Sequence, residues 1–185
     1  MKRIPITILL SLFLFGCGSK TNSNIVISTR AAIHNCEKCS FYASVTADYT
    51  DQAIAFKMNC LRDSTGCINV TVTEPESISG ITGRICDGSG QLIFDETVLA
   101  VELVADGAVS PIATPWLFME ALLSGYISYS GPDGDLVRTR IDDTYSGVQY
   151  SMDLWQDNKG TPVRAEIIWE GRRILSIDID GFTML

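Results

Sequence analysis

Residues 148–180 read VQYSMDLWQDNKGTPVRAEIIWEGRRILSIDID, and apolar and polar side chains alternate through most of this segment. Successive side chains of an extended strand point to opposite faces, so a period of two is typical of strands with one buried face. The apolar members are Val148, Tyr150, Met152 and Leu154, then Val163, Ala165, Ile167 and Trp169, then Leu175, Ile177 and Ile179. Turn sequences at Asp157–Gly160 and Glu170–Arg172 separate these runs. The segment therefore predicts three successive strands.

Earlier parts of the chain repeat this pattern. Ile54, Phe56 and Met58 are the apolar members of one run, and Ile68, Val70 and Val72 are those of another. Turn residues recur at 63–66, 87–90 and 131–134. Connections this short join antiparallel neighbours, because parallel strands need a crossover of about a dozen residues or more. The sequence predicts a mainly β (α+β) fold with about nine to eleven strands in one antiparallel sheet, and a sheet of that width normally curls.

Two segments depart from the period of two. The first predicts a short helix that begins at Ser28 and ends at about Cys39. The second, TPWLFMEALLSG at residues 114–125, predicts a helix with Thr114 as its cap, a proline in its first turn and a glycine at its end. Glu120 is its only charged residue, so the helix must be enclosed on most sides. We expect it across the concave face of the curled sheet, either as a plug that fills the core or as a lid over a ligand.

The N-terminus has the pattern of a bacterial lipoprotein. Residues 1–16 contain a short basic start followed by about a dozen apolar residues, which is too short for a transmembrane helix and typical of a signal peptide. Leu14-Phe15-Gly16-Cys17 resembles a lipobox, so we expect cleavage before Cys17 and acyl chains, such as palmitate, on Cys17. Residues 17–27 then form the lipidated start and a flexible tether, and residues 28–185 form the domain. A plain signal peptide is the alternative.

This interpretation places the domain outside the cytoplasm, anchored by lipid to the outer face of the cell membrane. In a host with two membranes, we expect the outer membrane, because Gly18 follows the cysteine where an Asp is associated with retention in the inner membrane. Two or more acyl chains would hold the protein durably, since each buried CH₂ contributes about 0.8 kcal/mol.

Composition limits the classes of function. The chain has 185 residues, 46% of them apolar and 19% charged, which allows one ordinary domain. Its formal charge is −8, and removing Lys2 and Arg3 from the 14 basic residues leaves 12 against 22 acidic residues, or −10. This acidic balance argues against nucleic acid as a partner. A single histidine, His34, leaves little material for a catalytic triad, so we expect no catalytic residues, no metal and no cofactor.

The cysteines allow a different class of function. His34, Cys36 and Cys39 have a spacing that zinc ligands use, and Cys36-x-x-Cys39 also matches a thiol redox motif, but no second Cys-x-x-Cys follows. With Cys17 lipidated, five cysteines remain, which is an odd number. Cys60 and Cys67 flank a turn and are disulfide candidates. The alternation puts them on opposite faces of a regular hairpin, so a bulge or a loose loop end would be needed to bring them together.

This organisation resembles that of the lipoprotein-localisation family, the LolA- and LolB-like proteins. The resemblance comprises the lipobox, an early helix, a meander of amphipathic strands and an apolar helix in mid-chain. Residues 72–82, VTEPESISGIT, followed by residues 90–95, GQLIFD, are similar to the strand-to-strand passage of such proteins. The resemblance implies an unclosed, strongly curved antiparallel half-barrel with covering helices, which holds acyl chains or another apolar ligand. It transfers no functional residue to this chain.

Three hypotheses about function follow. The first is a non-catalytic lipoprotein that binds or carries a lipid or other apolar ligand in the half-barrel. Its candidate ligand-binding residues are Trp116, Phe118, Leu122, Tyr150, Trp155 and Trp169. The second is a structural or assembly lipoprotein with a filled core whose surface binds another envelope protein. The third is a cysteine-based redox or metal protein. A cavity under the mid-chain helix distinguishes the first hypothesis from the second.

Overall fold

The computed structural model describes residues 23–49, 52–94, 97–102, 104–105, 108–145 and 147–185. Residues 1–16, predicted as a signal peptide, and Cys17, the predicted lipidation site, therefore lie outside the described residues. The two helices are α1 (Ser23–Asn35) and α2 (Thr114–Ser124). The strands are β1 (Cys39–Tyr49), β2 (Gln52–Arg62), β3 (Ile68–Glu74), β4 (Thr82–Cys86), β5 (Ser89–Phe94), β6 (Thr97–Glu102), β7 (Val104–Ala105), β8 (Ala108–Val109), β9 (Tyr126–Asp133), β10 (Leu136–Tyr145), β11 (Val148–Gln156), β12 (Pro162–Trp169) and β13 (Arg172–Met184). Neither helix is long and apolar enough to span a membrane.

Eleven strands form one antiparallel sheet in the order β6-β5-β4-β3-β2-β1-β13-β12-β11-β10-β9. The two halves of the chain meet where β1 pairs with β13, with Val45 opposite Ile177. The sheet is not closed, since β6 and β9 lie at its opposite ends. The prediction of an unclosed antiparallel half-barrel with about nine to eleven strands is confirmed.

The path of the chain explains the position of α2. The chain leaves the sheet at β6, one edge, and re-enters it at β9, the other edge, with β7, β8 and α2 between them. A connection between the two edges of a curled sheet must cross its open side. Helix α2 accordingly lies on the concave face, where it contacts α1, β10 and β13. Most of its side chains are buried, and Glu120 is exposed.

The ends of α2 differ from the prediction at the N-terminus and agree with it at the C-terminus. Thr114 does not cap the helix: Ala113 holds that position, and the Thr114 hydroxyl donates to the carbonyl of Pro111 at 2.6 Å, in the 3₁₀ turn that leads into the helix. At the other end, the Gly125 amide donates to the Ala121 carbonyl. A Cβ at Gly125 would collide with the Ile141 side chain.

Helix α1 begins earlier and ends earlier than predicted. It starts at Ser23, so residues 23–27, which we expected in the tether, belong to the helix. The face that anchors it contains Val26, Thr29 and Ile33, all buried, at the spacing of helical neighbours. The helix ends at Asn35, and the next residues pair with the end of β13 in the middle of the sheet: the amides of Glu37 and Lys38 both donate to the carbonyl of Leu185.

The predicted pairing of Cys60 with Cys67 is wrong. Cys67 forms a disulfide with Cys86, and Cys60 is a buried free thiol. The register explains the difference, because Ile68 lies opposite Ile85, which places Cys67 opposite Cys86 across β3 and β4. Cys60 lies opposite Val70 in the neighbouring pair of strands.

Candidate functional site

The concave face is filled by the two helices. Phe118 and Leu122 of α2 are fully buried and belong to the same hydrophobic cluster as Met152 and Leu154 of β11. The ring of Phe118 lies edge-to-face against the ring of Phe41, with 5.7 Å between the centroids. Trp116 packs in the same manner against Tyr145 at 5.2 Å. Phe118, Leu122, Met152 and Leu154 therefore act as core.

Helix α1 is fixed to the C-terminal half of the sheet by a buried polar cluster. The Thr29 hydroxyl donates to the Gly160 carbonyl at 2.8 Å, and the Gln156 amide donates to the same carbonyl at 2.7 Å and to Thr29 Oγ1 at 3.0 Å. Buried hydrogen bonds of this kind are costly to break, since each group would lose its partner away from water. The cluster therefore holds α1 in one position on the concave face.

A polar cleft of about 790 Å³ opens beyond the C-terminus of α2, and Tyr150 lies on its wall. The Tyr150 hydroxyl donates to Asp143 Oδ2 at 3.2 Å. Burial, with the adjacent Asp143 carboxylate, raises the pKa of Tyr150. Arg30 of α1 donates from Nε to the Leu122 carbonyl at 2.7 Å and from Nη2 to the Gly125 carbonyl at 2.9 Å. Burial lowers the pKa of Arg30, and the charge of Asp143 opposes that shift.

A second cleft, of about 310 Å³, lies on the other side of α2, beside Trp116, Glu120 and Tyr145. Neither of these two clefts is lined by Phe118 or Leu122. Both are open and carry charged side chains on their walls. The clefts therefore border the helix and do not extend into the apolar core beneath it.

Trp155 does not lie with the other predicted ligand-binding residues. It is on the convex face, between the guanidinium groups of Arg138 and Arg164, each 5.5 Å from the ring centroid. Its indole N–H donates to Asp133 Oδ2 at 2.7 Å. The physical reason is the period of β11: Leu154 is buried, so the next side chain must point to the opposite face. The same alternation in the sequence contained this information. Trp169, by contrast, is half-buried against the core.

The cysteine motif is placed at the junction of α1 and β1. Cys36 Sγ and Cys39 Sγ are 3.1 Å apart, and burial, together with the neighbouring Cys36 sulfur, raises the pKa of Cys39 to about 12. Among the residues that the structure describes, no three His, Cys, Asp or Glu side chains are grouped so that they could hold a metal ion. The hypothesis that His34, Cys36 and Cys39 ligate zinc together therefore lacks a formed site.

An exposed apolar surface that the sequence analysis did not identify lies on the hairpin of β5 and β6. Ile93, Phe94, Val98 and Leu99 are 44%, 49%, 59% and 55% exposed. Ile93 pairs with Val98 and Leu92 pairs with Leu99, so the two pairs point to opposite faces of the hairpin. Ile93 and Val98 lie on one face of the hairpin, and Phe94 and Leu99 lie on the other. We call these four residues together the hairpin patch. The signal in the sequence was the apolar run of residues 97–101, TVLAV, which lacks the polar alternation of a strand with one solvated face.

No protein-family model matches the sequence, and no curated protein matches it. Solved structures do match the fold. A LolA superfamily protein from Nitrosomonas europaea superposes with a TM-score of 0.50 and 10% identity, over 89% of this chain and 94% of that chain. A proposed outer membrane lipoprotein-sorting protein domain from Vibrio parahaemolyticus superposes with a TM-score of 0.50 and 8% identity, over 87% of this chain and 91% of that chain. The chain therefore resembles the LolA superfamily in the fold of its sheet and helices.

Proposed function

We propose that this protein is a non-catalytic lipoprotein of the cell envelope, anchored by acyl chains on Cys17, that binds another envelope protein through the hairpin patch. The single observation that carries the proposal is the exposure of four large apolar side chains on one edge hairpin, beside a concave face that is already filled. The LolA-like fold is compatible with this role, but a fold supports many functions, so the surface carries the argument.

A location outside the cytoplasm has two supports. The first is the signal peptide and lipobox pattern of residues 1–17. The second is the disulfide between Cys67 and Cys86, because disulfides form and persist in oxidising compartments and are rare in the cytosol. The anchor would leave the domain on the outer face of the cell membrane, or on the outer membrane of a host with two membranes.

Carriage of a lipid requires room on the concave face. Phe118 and Leu122 would have to leave the core to admit an acyl chain, and α1 and α2 would have to separate from the sheet. That movement would break the aromatic contact of Phe118 with Phe41 and expose apolar surface at a cost of about 25 cal/mol per Å². The filled concave face therefore favours the assembly lipoprotein over the lipid carrier.

The hairpin patch has the features of a protein-binding surface. β6 is the last strand of the sheet in the described part of the chain, so one side of it is open for pairing. Natural edge strands are usually protected by lysine, proline or a bulge, and the exposed residues 97–100, TVLA, contain neither lysine nor proline. A partner that adds a strand to β6 would bury Val98 on one face and Leu99 on the other.

Photo-crosslinking in the native host tests this proposal. A photo-reactive residue at Val98 should capture one envelope protein, whereas the same residue at Leu61, which is exposed on the convex face of β2, should not. With the captured protein purified, V98E should weaken binding about tenfold or more, and L61E should leave it unchanged. Equal capture at both positions, or an unchanged affinity of V98E, would contradict the proposal. The full chain can also be tested for binding to protein-free vesicles of host lipids. If it binds them and V98E abolishes this binding, the hairpin patch binds the membrane and not a protein.

A further inference from the structure

The two thiols of the Cys-x-x-Cys motif face each other across the end of helix α1. Cys36 follows the last helical residue, Asn35, and Cys39 is the first residue of β1. Their sulfur atoms are 3.1 Å apart. Because Cys36 lies outside the helix, the strain that a helical backbone imposes on a bond between residues three apart does not apply here.

The two thiols have different environments. Cys39 is fully buried, whereas Cys36 is partly exposed. Cys36 Sγ lies 3.2 Å from the carbonyl oxygen of Ile33, which its thiol can reach as a donor. Burial, with the contact to Cys36, raises the pKa of Cys39 to about 12, so Cys39 is protonated at neutral pH. Because Cys39 is buried, an external disulfide can reach Cys36 and not Cys39. Because Cys39 is also protonated, the thiolate that attacks the external disulfide must be that of Cys36.

We propose that Cys36 and Cys39 are a second disulfide site, oxidised by exchange with a thiol–disulfide oxidoreductase or a small disulfide outside the cytoplasm. The Cys36 thiolate attacks one sulfur of the external disulfide and displaces the other as a thiolate. Cys39 then attacks the Cys36 sulfur, its proton passes to solvent, and the second external thiolate leaves. The two thiols are oxidised to one disulfide, and the external disulfide is reduced to two thiols.

The new bond would join the C-terminal end of α1 to the sheet. Next to the motif, the Lys38 carbonyl accepts a hydrogen bond from the Leu185 amide at 2.9 Å, so the start of β1 is already fixed to the last residue of the chain. Helix α1 is the first described element after the predicted anchor at Cys17. The disulfide would therefore add a second covalent link, beside the backbone of residues 36–39, between the sheet and the element through which a pull on the anchor is transmitted.

Peptide mapping by mass spectrometry after treatment with oxidised glutathione tests the site. The full chain carrying C17S, in detergent, should yield a peptide that contains Cys36 and Cys39, lighter by two hydrogen atoms than the reduced form and resistant to alkylation. Recovery of this peptide with both cysteines alkylated would overturn the proposal, as would a link from either cysteine to Cys60. This readout does not depend on a protein partner, so its failure is distinguishable from failure of the proposed function.

Two variants test the order of attack. C39A should accumulate glutathione on Cys36, because the resolving thiol is absent. C36A should leave Cys39 unmodified under the same treatment, since Cys39 is buried. C60A is the matched control, a variant of another buried free thiol, and should still form the bond between Cys36 and Cys39. Circular dichroism shows whether each variant is folded. Equal glutathione labelling of folded C36A and C39A would contradict the assignment of Cys36 as the attacking thiol.

Discussion

The ring of Phe118 in α2 packs edge-to-face against the ring of Phe41 in β1, with the centroids 5.7 Å apart. Phe41 also stacks on Phe182 of β13, again at 5.7 Å. The contact joins the mid-chain helix to the two central strands of the sheet, where the N-terminal and C-terminal halves of the chain pair. Phe118 is thus part of the core of the molecule, in the position where a lipid carrier would hold its ligand.

Replacing Phe118 by alanine should lower the free energy of unfolding by about 3–5 kcal/mol, because the large buried ring leaves a cavity. Denaturant unfolding followed by circular dichroism measures the change. The matched control is F94A on the exposed hairpin patch, which should alter stability by about 0.5 kcal/mol or less. A loss of less than about 1 kcal/mol in F118A would mean that the ring is not packed as core.

Removing the disulfide between Cys67 and Cys86 should lower the free energy of unfolding by about 3 kcal/mol, as expected for a bond that closes a loop across a sequence separation of 19. The comparison is between the unaltered chain and the double variant C67A/C86A in an oxidising buffer. In a reducing buffer the two proteins should have nearly the same stability. A difference that persists under reduction would assign the loss to the substitutions and not to the bond.

The ion pairs of Asp153 with Arg138 and Arg140 should make a contribution to stability that depends on pH. Its side chain is 3% exposed, Arg140 donates to it from Nε at 2.8 Å and from Nη2 at 2.7 Å, and Arg138 donates from Nη2 at 2.6 Å. Burial of the carboxylate opposes its ionisation, but these hydrogen bonds outweigh burial and hold the pKa of Asp153 below its usual range. Because the pKa of Asp153 is lower in the folded state, its ionised form stabilises the fold. This contribution is complete at pH values above the unfolded-state pKa of about 3.9, and it is lost as the pH falls through the folded-state pKa.

D153N should therefore be less stable than the unaltered chain by about 2 kcal/mol at neutral pH, and the difference should shrink as the pH falls below about 4. Unfolding measured at a series of pH values checks this. D180N, at an exposed position of β13, is the control and should keep the acid dependence of the unaltered chain. A stability difference between D153N and the unaltered chain that is constant from neutral to acidic pH would contradict the ion-pair account.

The sequence predicted the sheet because its strands follow one rule, the period of two, over most of their length. It predicted α2 because an apolar segment with one charge must be enclosed. It did not predict the pairing of Cys67 with Cys86, since that depends on the register of β3 with β4, which two short strands do not specify locally. The sequence pattern does not show the start of α1, because its first turns are held by tertiary packing, such as the burial of Val26.

The candidate site was predicted less completely than the fold. The position of Trp155 on the convex face follows from the alternation around Leu154, so its assignment to a ligand site on the concave face is wrong. The hairpin patch depends on which strands end the sheet, and strand order is a property of the whole topology. The local pattern around Val98 predicts an apolar strand. It does not show that both faces of this strand are exposed.

Native mass spectrometry of residues Gly18–Leu185, exported by the host behind a cleavable signal peptide and purified from its extracytoplasmic fraction, tests the filled concave face most directly. This form keeps every helix and strand described here. The account predicts a spectrum with the mass of the polypeptide alone and no bound lipid. A co-purified lipid carried by most molecules would contradict it and would show that the space around Phe118 opens to hold a ligand.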